Sequence, residues 1–87
     1  MARTGKAKSR FFGAGQYRVE IIASAEVRDW RLINVRDRNG SLVGDLHATW
    51  STAQSADELI ALLPAEHGAT QDQLAAIVAF ARDPSGA

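Results

Sequence analysis

The dipeptide Asn39-Gly40 stands between two segments of alternating polarity, residues 30–37 and 42–50. A two-residue type I′ turn needs positive φ at both central positions, which Asn and Gly adopt most readily, so this arrangement predicts a β-hairpin. With Asn39 and Gly40 at the tip, Asp37 pairs with Leu42, Val35 with Gly44, Ile33 with Leu46, and Arg31 with Ala48. Side chains alternate between faces along a strand. Ile33, Val35, Leu42, Leu46, Ala48 and Trp50 therefore share an apolar face suited to packing against helices. Trp30, Leu32, Asn34 and Arg36 share the other face with Val43, Asp45, His47 and Thr49.

Upstream, Tyr17-Arg18-Val19-Glu20-Ile21-Ile22-Ala23-Ser24 alternates well enough to form another strand. Downstream the period changes. Ser55 with Glu58, and Thr70 with Gln73, have the spacing of capping boxes, in which each N-cap hydroxyl and the N3 side chain satisfy helix-start amides. Leu59, Ile60, Leu62 and Leu63 follow the first box until Pro64, and Leu74, Ile77, Val78 and Ala81 follow the second at helical spacing. The expected fold is α+β: a three-stranded or four-stranded antiparallel sheet, then two C-terminal helices packed on one face. At 87 residues the chain is one domain, with residues 1–15 as a flexible basic arm docked at Phe11-Phe12, the domain proper over 16–83, and a tail at 84–87.

Cysteine is absent, which removes disulfides and thiolate metal sites and fits a reducing compartment. No apolar run approaches the roughly 18 residues that span a bilayer, and the basic N-terminus leads into no continuous apolar segment. A cytoplasmic protein is expected. His47 and His67 are the only histidines and lack metal-ligand spacing, so no metal or cofactor is expected. Asp45 and His47 would share a strand face, but acid-base chemistry needs a third group and a pocket. Gly13-Ala14-Gly15 precedes a strand, whereas a phosphate cradle follows one and opens a helix. Asp57, Glu58 and Asp72 complement helix dipoles. A non-catalytic domain is the expectation.

Charge is more informative. Formal net charge is zero, yet through Arg38 nine basic residues stand against four acidic ones, leaving +5. From Asn39 onward one basic residue stands against six acidic ones, leaving −5. Such asymmetry points to an anionic partner for the first half. Arginines lie close to aromatics at Arg10-Phe11-Phe12, Tyr17-Arg18 and Arg28-Asp29-Trp30-Arg31, the pairing that binds phosphates and stacks on unpaired bases. The expected function is nucleic-acid binding of low sequence specificity, to DNA or RNA, through Arg3, Lys6, Lys8, Arg10, Arg18, Arg28, Trp30, Arg31, Arg36 and Arg38. The alternative is a protein-interaction module, such as a small regulator or inhibitor, for example of a nucleic-acid enzyme, docking through the sheet face at Trp30, Leu32, Val43 and His47 or through the acidic helices. A short chain that cannot bury much surface also makes a homodimer an expectation.

Overall fold

The computed structural model describes residues 8–24 and 26–84, leaving out the side chains of residues 45–47. Strands β1 (Lys8–Ala14), β2 (Tyr17–Ala23), β3 (Trp30–Arg36) and β4 (Leu42–Ser51) form an antiparallel meander in the order β1-β2-β3-β4. Helices α1 (Ala56–Ile60) and α2 (Gln71–Arg82) follow. The α+β architecture is as expected, with four strands.

The additional strand is β1. Residues 8–14, assigned to the flexible arm, pair with β2 over their whole length, from Lys8 opposite Ala23 to Ala14 opposite Tyr17. Adjacent Phe11 and Phe12 conceal the alternation, because each ring has its own surface to cover. Phe12 turns to the helices, its ring 5.5 Å from that of Phe80, while Phe11 turns away. Gly15 has φ +65° in the two-residue turn from β1 to β2, and a Cβ there would overlap the carbonyl oxygen of His67. A glycine therefore lets this turn and the loop between the helices approach closely.

The β3–β4 turn also differs from expectation. Its loop has three residues, closed by Gly40 N–H donating to Asp37 O at 3.0 Å and Asp37 N–H donating to Ser41 O at 2.9 Å. Asp37 is the cause: its Oδ1 accepts from the backbone of Asn39 (2.9 Å) and Ser41 (3.0 Å), so a side-chain turn wins over the two-residue Asn-Gly turn. Gly40 takes positive φ, at +85°. Arg36 now faces Leu42 and Val35 faces Val43, one residue off the expected register, which turns Leu42 outward and Val43 inward. An irregularity between Ile33 and Val35 restores inward positions for Ala48 and Trp50, opposite Ile33 and Arg31.

One face of the sheet supplies Val19, Ile21, Ile33, Val35 and Trp50 to a core completed by Leu59, Leu63, Ile77, Phe80 and Ala81. Both capping boxes form. The first supports only a short helix, after which the chain turns to bury Leu63. The second starts the twelve-residue α2, which lies against β1 and β2. Gln73 has two roles there: its Oε1 accepts from Thr70 N–H at 2.8 Å and from Gly15 N–H at 3.3 Å. Gln73→Ala is expected to cost about 1–2 kcal/mol in urea unfolding, the sum of a weakened cap and a lost tertiary tie. A loss no larger than that of an exposed Gln→Ala control elsewhere would count against the double role.

Candidate functional site on the open sheet face

The two helices cover one face of the sheet, and among the described residues no element covers the other. Cross-strand register orders the open face in rows. Arg18, Arg36 and Leu42 form the row nearest the β3–β4 turn. Phe11, Glu20 and Asn34 form the next, then Ser9, Ile22, Leu32 and Thr49, and finally Trp30 and Ser51.

Arg18 and Arg36 are direct partners, an arrangement of like charges that costs stability unless something offsets it. Among the described residues neither meets a carboxylate. Arg36 Nη1 donates to Gly40 O at 3.0 Å. The Arg18 guanidinium lies over Phe11, its Cζ 5.4 Å from the ring centroid, and that ring is still 46% exposed. Both groups are oriented by these contacts while most of their N–H donors have no partner among the described residues. Glu20 does not neutralise them; it accepts from Asn34 Nδ2 at 3.2 Å. Arg38 is exposed in the adjoining turn.

At the opposite end Trp30 is 51% exposed and borders a largely apolar recess of about 540 Å3 with Ile22, Ser24, Val27, Leu32, Thr49 and a part of Arg31. Arg28 is exposed in the loop before it. At about 3.3 Å per residue, Trp30 lies roughly 20 Å along β3 from Arg36, so the aromatic beside the arginine pair is Phe11.

The expected site residues are thus redistributed. Arg18, Arg36, Trp30 and Leu32 come together on the open face, with Arg28 and Arg38 at its two ends. Arg31 does not join them: it points to the helix side and is 4% exposed. Its Nε donates to Ala81 O at 2.5 Å, and its Nη1 to Arg28 O at 2.6 Å and Trp30 O at 2.9 Å. Burial lowers its pKa, opposed by the charge of Asp29. Arg31 fastens the C-terminal end of α2, where unpaired carbonyls and the helix dipole favour a cation. Arg10 also leaves the set: its guanidinium lies against Phe12 and Phe80 on the helix side, 5.3 and 5.9 Å from the ring centroids. Lys8 shares that side by register. Val43 packs against the core rather than lining an interface, because the register at the turn inverted it. Arg3, Lys6 and the side chain of His47 lie outside the described residues.

Sequence reasoning missed Phe11 as a member of the open face and Arg82 as a lid on the core. Arg82 covers the Trp50 ring, Cζ 5.4 Å from its centroid, and donates to Thr52 O at 3.3 Å. The signal for Phe11 was its parity with Ser9, legible only once β1 is taken as a strand. No helix among the described residues is long and apolar enough to cross a membrane. Comparison with protein-family models, curated proteins and solved structures finds no match.

Proposed function

We propose that the chain is a non-catalytic binding domain that holds single-stranded nucleic acid across the open face of its sheet. The observation that carries this reading is the opposed Arg18 and Arg36, which meet no carboxylate among the described residues, with Arg18 over an exposed phenylalanine ring. Two opposed guanidinium groups on neighbouring strands attract a polyanion, and planar guanidinium forks suit phosphate oxygens. Phe11 and Trp30 add rings on which unpaired bases stack, in a manner tolerant of sequence. The open four-stranded face, from which no helix protrudes among the described residues, suits a strand better than the groove of a duplex. Arg3 and Lys6 belong to the same proposal as additional phosphate contacts.

The test is titration of a single-stranded and a double-stranded oligonucleotide at two salt concentrations. The single strand is expected to bind more tightly and to weaken steeply with salt. Replacing Arg18 and Arg36 together by Gln is expected to flatten the log–log salt slope by about 1.4, as two single-strand phosphate contacts would require. Absence of binding at low salt overturns the proposal, and an unchanged slope removes these two arginines from it.

A protein partner on the same face is the second reading, favoured by the apolar recess beside Trp30. It includes pairing with a second copy of the chain. Under that reading Trp30→Ala changes the sedimentation mass or abolishes capture of a specific protein, while oligonucleotides bind no more tightly than to an unrelated neutral domain.

A further inference from the structure

Building on the nucleic-acid reading, we infer that the recess beside Trp30 seats a single nucleobase, and that the Glu20–Asn34 pair reads the base's polar edge. The recess has an apolar floor, Ile22 and Leu32, which are direct cross-strand partners, and Trp30 and Val27 stand at its margin. Its volume of about 540 Å3 accommodates a purine or a pyrimidine ring. Apolar walls alone would suit any hydrophobic occupant. What selects a base is the next row. Glu20 and Asn34 adjoin Ile22 and Leu32 on the same face, one step along both strands, so a ring lying on the floor directs one edge at them.

The hydrogen-bonding capacity of that pair is largely unspent. One amide N–H of Asn34 is committed to Glu20 Oε1. The second amide N–H, the amide oxygen and Glu20 Oε2 have no partner among the described residues. The face therefore offers a charged acceptor beside a neutral donor. Cytosine and adenine present an amino donor next to a ring-nitrogen acceptor, which matches this set, and Glu accepting from a cytosine amine is a recurrent pairing. Thymine presents a single imino N–H between two carbonyl oxygens, whose lone pairs face the carboxylate unfavourably. The arginine row lies one step beyond Glu20 and Asn34, so the phosphates linked to the seated base run toward Arg18 and Arg36.

The experiment titrates homo-octamers of dC, dA and dT into the full chain and follows tryptophan emission. Trp30 is the exposed indole and Trp50 is sealed in the core, so quenching reports the recess. The dC and dA octamers are expected to quench and to bind about tenfold more tightly than dT, the discrimination a matched base edge provides. Glu20→Gln should bring the three within about twofold of one another while leaving the thermal unfolding midpoint unchanged, and Asn34→Leu should do the same. The mononucleotide dCMP should bind at least tenfold more weakly than the dC octamer, since it lacks the neighbouring phosphates. Equal affinity for the three wild-type octamers, or a preference that survives both variants, overturns the base seat while leaving the face as a strand binder. Binding by none of the octamers removes the base seat and the nucleic-acid reading together. If dCMP matched the octamer, the site would take a free nucleotide, and the link to the arginine row would fall.

Discussion

Alanine at Trp50 is expected to destabilise the domain by about 3–5 kcal/mol, the range for deleting a buried large aromatic side chain. The indole is 0% exposed, sits between β4 and the helices, and donates its Nε1–H to Ser55 O at 3.0 Å, just where the first helix begins. Its removal opens a void in the centre of the core, takes from that carbonyl one of its partners and removes the surface beneath Arg82. A chain of this size has about 4–13 kcal/mol of total stability, so the variant loses a large share of it. Trp30→Ala is the matched control. That indole is half exposed, and its loss should cost about 1–2 kcal/mol, well short of the cost at Trp50. Affinity for single strands should nevertheless fall by about 1–3 kcal/mol, the value of one stacked base. Urea unfolding of both variants, with oligonucleotide titration of the second, checks the pair. Comparable destabilisation by the two substitutions would contradict the assignment of one indole to the core and the other to the open face.

The two tryptophans also mark how much the sequence disclosed. The sorting of Trp30 and Trp50 to opposite faces was legible, because period-2 alternation survives an error in turn length when an irregularity later compensates it. Both capping boxes were legible for a stronger reason: four residues determine the local hydrogen bonds, and no distant contact competes. The turn itself was not. Asn-Gly favours a two-residue loop, but Asp37 offers a side-chain acceptor that captures two loop amides. The inversion of Leu42 and Val43 follows from that one carboxylate. Strand β1 was concealed by composition, since glycines and cations at its ends resemble a tail, and by two adjacent phenylalanines that serve different faces. Within the candidate site, the bare list of cations was readable but their partition was not. Arg10 and Arg31 are set on the helix side by strand parity, and parity could be assigned only after each strand's neighbours were known.

Arg31 shows what that partition means energetically, and its substitution carries the second large effect. Arg31→Ala is expected to cost about 3 kcal/mol, because hydrogen bonds from a charged donor contribute about 1.5–3 kcal/mol each and a buried acceptor left unpaired adds its own desolvation penalty. Three carbonyls accept from this one fork: Ala81 in the last turn of α2, and Arg28 and Trp30 at the entry to β3. The guanidinium thus joins the final helix to the sheet and shapes the loop that carries Arg28 and presents Trp30. Arg31→Lys should recover little of the loss, since an ammonium on a flexible stem cannot reproduce a planar set of donors aimed at separate acceptors. Amide hydrogen exchange should accelerate most in the last turn of α2, ahead of the β1–β2 hairpin, if the clamp acts where its contacts lie. The folded fraction of either variant should keep the salt slope for single-strand binding, because the charge removed lies beneath the sheet and not on its open face. A loss below about 1 kcal/mol would show that water replaces the fork at small cost. A flattened salt slope with stability intact would return Arg31 to the binding surface and break the division of labour between the two faces.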